Sequence, residues 1–346
     1  MSNIFSPIII KSCVLKNRIV MSPMCQYSAA EDGRPNEWHY QHWNTRAIGQ
    51  VGLIMSEATA IRPDGMLTIN DLGLYNKKQI KSFKHGIEQV HDIGSKFGIQ
   101  LVHCGRKSWG RTKGFGKFNL KAPSPIAFDK DWKEPQELKE FEINNIINDF
   151  VASSERAKTA GADLVEIHAA HGYLIHQFLS PLSNNRDDEY GGSIENRSRF
   201  LIEIIKKTRL AMGKNFPIFV RLSCTDWAKK GGFNLNQALI TSKLAKQAGA
   251  DLIDCSSGGT LPITHPPLRE GYQLRFATEI KNKVNIMTAG VGLLKNSKFI
   301  DKYISKNKID LAFLGRELLS NPYWSLKAAK ELNHDKIIPS QYVRGF

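Results

Sequence analysis

The chain has 346 residues, of which 41% are hydrophobic, and a formal net charge of +15. This composition can fill a large core, and no apolar run is long enough to cross a membrane. The first fifteen residues lack the layout of a signal peptide, so we expect a soluble, cytoplasmic protein. The lysines are spread over predicted helix and loop surface with few aromatic residues among them, which argues against nucleic-acid binding.

Short apolar runs alternate with amphipathic segments along the whole chain. The predicted strands are residues 18–21, 52–56, 98–102, 163–167, 218–222, 251–255, 285–288 and 310–314. The segments between them have helical periodicity, as in residues 80–93, where apolar side chains recur every three or four positions. Eight such alternations predict an α/β fold, a closed (β/α)8 TIM barrel, as a single domain over residues 1–346.

Two long connections interrupt this alternation. Residues 104–138, after the third predicted strand, are too many for an ordinary loop, so we expect them to cover the mouth of the barrel. Residues 179–192, after the fourth strand, are predicted to do the same. The active residues of such barrels lie in the loops that follow the strands. We therefore expect the chemistry at that end.

The fourth predicted strand is followed at once by His168, His171 and Tyr173. A lone histidine at such a position is more often structural than catalytic. Two imidazoles and a phenol together can hold an oxygen atom by N–H donation and supply a proton. The five cysteines are scattered and odd in number, which fits reduced thiols, and none has the spacing of a metal site.

Three separated segments carry a resemblance to known proteins. They are residues 163–199, with His-x-x-His-x-Tyr and then Ser-Pro-Leu-Ser-Asn; residues 22–27, Ser-Pro-Met-Cys-Gln-Tyr; and residues 341–346, Gln-Tyr-Val-Arg-Gly-Phe. Together they resemble the old yellow enzyme family of flavin-dependent ene-reductases, in particular its bacterial thermophilic-like branch. The resemblance covers essentially the whole chain.

The resemblance implies an FMN-dependent ene-reductase, or NADPH dehydrogenase. NAD(P)H would reduce FMN, flavin N5 would pass a hydride to the β-carbon of an α,β-unsaturated carbonyl compound, and Tyr173 would protonate the α-carbon. His168 and His171 would hold the carbonyl oxygen. Expected substrates are enones, enals, maleimides and quinones. NADPH is preferred over NADH in this interpretation, because the basic loop 107–117 could receive a 2′-phosphate.

The same resemblance assigns further contacts. Cys25 would lie at the reactive edge of the flavin and tune its potential without acting as a nucleophile. Tyr27 and Lys107 would contact the substrate. The other expected flavin contacts are Ser22, Pro23, Met24, Ala58, Gln100, Arg221, Ser257, Gly290, Gly315 and Arg316. Family members more often carry a small residue where Cys104 stands.

Two of these assignments have a basis in the residues themselves. Glycine-rich turns after strands seven and eight form a phosphate site in many barrels, and Arg316 could pair with a phosphate. No Gly-x-Gly-x-x-Gly fingerprint opens a βαβ unit, so FMN is expected rather than FAD. Arg221 could bind an anionic flavin or form a salt bridge at the barrel rim, since a buried arginine needs a partner.

The C-terminal tail, residues 339–346, would place Arg344 in the active site of a neighbouring subunit, which implies a homodimer or homotetramer. Other flavin-barrel oxidoreductases remain alternatives: a nitro or quinone reductase, an amine dehydrogenase or a dienoyl-CoA reductase. The last two carry an iron–sulfur cysteine cluster that this sequence does not contain. A barrel enzyme acting on a phosphorylated sugar is more remote, because it explains the phosphate site but not the His-His-Tyr group.

Overall fold

The computed structural model describes residues 3–346. Its strands are β1 (Ile8–Ile10), β2 (Cys13–Leu15), β3 (Ile19–Met21), β4 (Leu53–Met55), β5 (Thr59–Ala60), β6 (Lys96–Val102), β7 (Lys121–Ala122), β8 (Gln136–Glu137), β9 (Leu164–Ala169), β10 (Ile218–Ser223), β11 (Leu252–Ser256), β12 (Met287–Gly290) and β13 (Leu311–Leu314). Its α-helices are α1 (Glu37–Ile48), α2 (Lys77–Asp92), α3 (Glu140–Thr159), α4 (Leu174–Leu179), α5 (Ile194–Met212), α6 (Leu235–Ala248), α7 (Leu274–Val284), α8 (Ser297–Ser305), α9 (Arg316–Ser320) and α10 (Trp324–Glu331).

Eight parallel strands close into a barrel. Their order is β4-β3-β13-β12-β11-β10-β9-β6, and β6 pairs back with β4. The strands are buried along nearly their whole length, as expected when helices cover the outer face of a parallel sheet. The predicted α/β TIM barrel is thereby confirmed. Among residues 3–346, no helix combines the length and the apolar character needed to span a membrane.

The predicted strands differ from the observed ones mainly at their ends. The fourth was predicted to end at Ile167, but β9 continues to Ala169 and pairs His168 with Arg221 of β10. His168 therefore projects from the strand itself and not from the loop after it. The seventh was placed two residues too early, because Asn285 adopts a left-handed conformation that ends α7.

A hairpin that the sequence analysis missed closes one end of the barrel. Strands β1 and β2 pair antiparallel. Their buried side chains, among them Ile8 and Leu15, pack against barrel-strand residues such as Val20, Leu53 and Phe219. Strands of three residues show too little alternation to be recognised from sequence. In residues 3–346 the hairpin therefore fills the N-terminal end of the barrel, which favours the C-terminal end as the place for a ligand.

The two long connections lie together over that C-terminal end. In the first, the Arg106 guanidinium donates to the carbonyl of Thr260, which follows β11, at 2.8 Å. In the second, Arg186 donates to the carbonyls of Pro123 and Leu138 at 3.0 and 2.7 Å. The second connection therefore fastens the first one, which is the segment that reaches across the mouth.

Candidate active site

The rim of the barrel is shaped by an interruption in its second strand. Strand β4 pairs with the start of β6, and β5 pairs with its end at Leu101 and Val102. The Ser56 N–H still donates to the carbonyl of Gly98 at 2.8 Å, but the next two residues leave the ladder and bring Glu57 and Ala58 to the rim. The Glu57 carboxyl accepts the backbone N–H of Gln26 at 3.0 Å, which ties this bulge to the loop after β3.

His168, His171 and Tyr173 lie together at the end of β9. His168 Nε2 and His171 Nδ1 are 3.3 Å apart, and the two rings stand at 83° to each other. The Tyr173 ring centroid is 5.0 Å from that of His168. His168 is buried, whereas His171 and Tyr173 keep partial exposure towards the mouth. A ligand can therefore reach this group from outside.

Two left-handed residues make the tight turn that brings this group together. His171 has φ +58° and Gly172 has φ +72°. The N–H of His171 donates to Ser223 Oγ, and that of Gly172 donates to His176 Nδ1, each at 2.9 Å. These two bonds anchor the turn to β10 and to α4.

A buried carboxylate supports the turn from behind. Asp226 Oδ1 lies 3.1 Å from Nε2 of His176, although off the N–H direction, so this contact is mainly electrostatic. Burial by itself would raise the pKa of Asp226, but the adjacent imidazole and hydroxyl donors outweigh it and lower the pKa to about 2. Asp226 therefore remains an anion that orients the His176 ring.

The environment keeps the three central side chains neutral. Burial, followed by the nearby Arg221 cation, lowers the pKa of His168 and of His171 well below the ordinary histidine value. Burial also raises the pKa of the Tyr173 phenol well above its usual value. At pH 7 the site thus offers neutral imidazole N–H donors beside a protonated phenol.

Lys107, predicted to contact a substrate, reaches the same place. Its ammonium donates to the carbonyls of His171 and Gly259 at 2.9 and 3.1 Å. It also lies 5.1 Å from the Tyr173 ring centroid. Burial lowers the pKa of Lys107 to about 8. Two of its three N–H groups are occupied by these carbonyls, and the ammonium also lies 4.7 Å from the ring centroid of Phe128.

Cys25 and Cys104 belong to one apolar cluster at the mouth, with Ala58, Val102 and the ring of Tyr173. Burial raises the pKa of both thiols well above the ordinary cysteine value. The thiolate is the nucleophilic form, so neither cysteine is an activated nucleophile at neutral pH. Cys104 is fully packed in this cluster.

Tyr27 stands at the entrance. It has φ +53° and its side chain is 38% exposed. The Arg111 guanidinium lies over its ring, 5.4 Å from the centroid. Burial raises the pKa of the Tyr27 phenol to about 12, so its hydroxyl is also protonated.

Five polar side chains meet inside the barrel below the histidines. Arg221 donates to Ser22 Oγ at 3.2 Å, and its Nε lies 3.2 Å from the carboxylate of Asp254. The structural ion pair considered for Arg221 is therefore present. Gln100 donates through Nε2 to Glu166 at 2.6 Å, which directs its carbonyl oxygen elsewhere as an acceptor. Burial raises the pKa of both carboxyl groups, Glu166 and Asp254.

The loops after β11, β12 and β13 border a second open region. A cavity of about 470 Å³ is lined by Tyr272, Gln273, Gly292, Lys295, Gly315 and Arg316, among others. A Cβ built on Gly315 would lie 3.7 Å from the sulfur of Met24, so the loops after the first and the eighth barrel strands meet there. Pro23 lies beside this contact and is partly buried.

Two of the predicted flavin contacts, Gly290 and Ser257, already pack against or hydrogen-bond to other residues of the barrel. A Cβ on Gly290 would lie 2.3 Å from a methyl group of Leu274, so the missing side chain allows α7 to pack on β12. The Ser257 hydroxyl donates to the amide oxygen of Gln273 and accepts from the indole N–H of Trp227. Only the backbones of Gly290 and Ser257 remain available to a cofactor.

Arg344 does not join the site of its own chain. The tail containing it, Ser340–Gly345, forms a short 3-10 helix, and Arg344 is exposed. The tail lies against the ends of α1 and α2, beside Ile48 and Ile93, where both helices return to the N-terminal end of the barrel. This end is opposite to the histidines.

Several residues that shape the site were not singled out from the sequence. They are Glu57, Glu166, His176, Ser223, Asp226, Asp254 and Ser256. One of them, His176, lies in the segment already singled out, five residues after His171. The others are brought in by strands that are neighbours in space but far apart in the chain.

Comparison with known proteins gives consistent matches over nearly the whole chain. The profile of the NADH:flavin oxidoreductase / NADH oxidase family matches residues 3–335. The chain is 45% identical over 346 residues to the NADPH dehydrogenase of Bacillus subtilis (strain 168), with 99% of each chain covered. The NADPH dehydrogenase of Clostridium acetobutylicum is 45% identical over 343 residues, again with 99% coverage of each.

Solved structures have the same barrel. Morphinone reductase in complex with tetrahydroNAD matches with a TM-score of 0.80 and 26% identity, covering 96% of this chain and 92% of that one. The chain spans about half the length of a larger match, 2-naphthoyl-CoA reductase. It covers 53% of that protein at 24% identity with a TM-score of 0.89, which bears on the fold alone.

Proposed function

Because the chain belongs to the NADH:flavin oxidoreductase / NADH oxidase family, the old yellow enzyme family, we propose that it is an NADPH-dependent ene-reductase with FMN as cofactor. Its class, a flavin oxidoreductase, follows from that membership. The choice of NADPH rests on the curated relatives at 45% identity, which are named NADPH dehydrogenases. The reduction of an activated C=C bond is inferred from the side chains at the end of β9.

The residues of the mouth fit FMN. At one end, the cavity of about 470 Å³ offers Lys295 and Arg316 to a phosphate. At the other end, Nε of the buried Arg221 has no correctly directed hydrogen bond, and Gln100 presents an amide oxygen. Ser22, Pro23, Met24, Cys25 and Ala58 would complete the cradle for the ring. When bound, FMN supplies the hydride.

The observation that carries the proposal is the neutral His-His-Tyr group. A carbonyl oxygen placed against His168 Nε2 and His171 Nδ1, now 3.3 Å apart, would accept two N–H bonds. Addition of hydride to the β-carbon drives negative charge onto that oxygen, and preorganised donors stabilise the charge. Tyr173 then gives its hydroxyl proton to the α-carbon as general acid.

Lys107 stabilises the charge that this proton transfer leaves on Tyr173. Its ammonium lies 5.1 Å from the ring centroid and is fixed by two backbone carbonyls. Loss of the phenol proton creates an anion in a partly buried place, and a fixed cation lowers the free energy of that anion. Lys107 would therefore assist catalysis without itself exchanging a proton.

The substrate class we propose is α,β-unsaturated carbonyl compounds: enones, enals, maleimides and quinones. The carbonyl of each would fit between the two imidazoles, and Tyr27 at the entrance would form the outer wall. Arg344 would complete the site from a neighbouring subunit, because its own tail lies at the opposite end of the barrel. We therefore propose a homodimer or homotetramer of single-domain chains, since a second copy would have to supply Arg344.

The test is the visible absorption spectrum of the purified, FMN-loaded protein under anaerobic conditions. We expect the flavin bands to bleach on addition of NADPH and to return on addition of 2-cyclohexenone. Recovery with benzoquinone but not with the enone would replace the ene-reductase by a quinone reductase. A protein that binds no FMN would refute the redox proposal altogether.

A further inference from the structure

The two serines at the end of strand β11, Ser256 and Ser257, turn their hydroxyls to different partners. Ser257 bonds to Trp227 and Gln273, whereas Ser256 places its Oγ 2.7 Å from Nε2 of His171. Ser256 is 4% exposed, so its hydroxyl is buried, whereas the His171 ring keeps partial exposure towards the mouth. It is the shortest polar contact of the His171 ring, and it lies on the side of the ring opposite to His168.

The hydrogen bonds determine where the two imidazole protons lie in the free site. His168 Nδ1 accepts the backbone N–H of Ala170 at 3.2 Å, so neutral His168 carries its proton on Nε2. That N–H points at Nδ1 of His171, 3.3 Å away. Two N–H groups cannot face each other, so Nδ1 of His171 is the acceptor. The single proton of His171 then lies on Nε2 and is donated to Ser256 Oγ.

This arrangement cannot hold a ligand oxygen with both rings. Two donors require the proton of His171 on Nδ1. Nε2 would then be a bare acceptor at a buried position, which is unfavourable if it has no donor. A serine hydroxyl is both donor and acceptor. By rotating its O–H bond, Ser256 can donate to Nε2 in this second tautomer.

We propose that Ser256 is the positioning residue that lets His171 exchange tautomers when an oxygen ligand enters. The N–H bond at Nε2 breaks, an N–H bond forms at Nδ1, and water carries the proton between them, so the imidazole stays neutral. This inference rests on the proposed function, since it assigns the two imidazoles to a ligand oxygen. It adds that in the free site His171 has the tautomer that cannot donate to the ligand oxygen from Nδ1.

The experiment compares Ser256→Ala, which removes the hydroxyl, with Ser256→Thr, which keeps it. Nitrogen-15 spectra of histidine-labelled FMN-loaded protein report the tautomer, and loss of one signal in His171→Gln assigns it. Pentafluorophenol is the probe, because it is ionised at neutral pH and is not reduced. In the wild type we expect the His171 proton on Nε2 without the probe and on Nδ1 with it.

We expect Ser256→Ala to bind pentafluorophenolate about tenfold more weakly, the loss of one neutral hydrogen bond. Ser256→Thr should stay within about threefold of the wild type and keep the tautomer change. Equal affinity and an unchanged spectrum in Ser256→Ala would overturn the proposal. A tautomer change in a protein that reduces no enone would support the role of Ser256 and refute the ene-reductase function.

Discussion

Replacement of Gly172 by alanine should both destabilise the protein and disable the site. Gly172 has φ +72°, and a Cβ built there would lie 2.1 Å from the carbonyl oxygen of Gly259. The left-handed conformation costs an L-residue about 1–2 kcal/mol. The clash is with backbone and cannot be relieved by a side-chain rotation, so we add about 1–3 kcal/mol for overpacking.

Gly192→Ala is the matched control for this prediction. Gly192 has φ +74°, and a Cβ built there meets nothing within 4 Å. The free energy of unfolding of this variant should therefore fall only by the cost of the left-handed conformation, about 1–2 kcal/mol. The difference between the two variants isolates the contact between the loops after β9 and β11.

Urea denaturation of the FMN-loaded protein measures both losses on one scale. We expect Gly172→Ala to be less stable than Gly192→Ala by about 2 kcal/mol. It should also lose most of its affinity for pentafluorophenolate, because the displaced Gly259 carbonyl is one of the two acceptors that hold Lys107. Equal destabilisation by the two variants would show that the loops after β9 and β11 move apart without a free-energy cost. The contact between them would then no longer support a preorganised site.

Three further predictions concern single groups. Tyr173→Phe should slow the reduction of 2-cyclohexenone by prereduced protein about 100-fold or more, while flavin reduction by NADPH, followed by stopped flow, changes little; equal slowing would contradict a general-acid role. Asp226→Asn should lower the free energy of unfolding by about 2 kcal/mol at pH 7, because the pKa of Asp226 is lowered from 3.8 to about 2 in the folded protein. This stabilisation is fully present above pH 3.8 and is lost as the pH falls towards 2. A variant whose melting temperature has the same acid dependence as that of the wild type would argue otherwise. Lys107 has a pKa of about 8, so it loses its positive charge, and the protein its affinity for pentafluorophenolate, as the pH rises through 8. The Lys107→Met variant should bind pentafluorophenolate weakly at both pH 7 and pH 9, and titrations at these two pH values test both expectations.

The barrel could be predicted from the sequence because its signals are local. Each predicted strand is a short apolar run, and each observed barrel strand overlaps one of them. The errors lie where a tertiary contact overrides local preference. Strand β9 runs on to Ala169 because the neighbouring strand offers partners as far as Leu222. The β1–β2 hairpin exists because its apolar face fills the end of the barrel.

The site residues also fall into a group that could be predicted from local sequence and a group that could not. His168, His171 and Tyr173 are close in sequence, so their convergence could be predicted from a single segment. The side chains that set their protonation and orientation come from other strands: Ser223 from β10 and Ser256 from β11. Such contacts depend on the strand register, which is fixed only when the barrel closes. Serines at the ends of two strands carry no local signal that would distinguish them from ordinary turn residues.

The charge distribution explains why neutral histidines would suit the proposed reduction of an activated C=C bond. A protonated imidazole would bind an anionic oxygen more tightly, but it would also bind anions in the free enzyme and give up its proton to the oxygen. In this site burial and the cations of Arg221 and Lys107 keep both imidazoles neutral. The same two cations lie close enough to stabilise negative charge once it develops. In the proposed reaction the site would therefore favour the charge of the transition state over that of the resting enzyme, which is the condition for catalysis by binding energy.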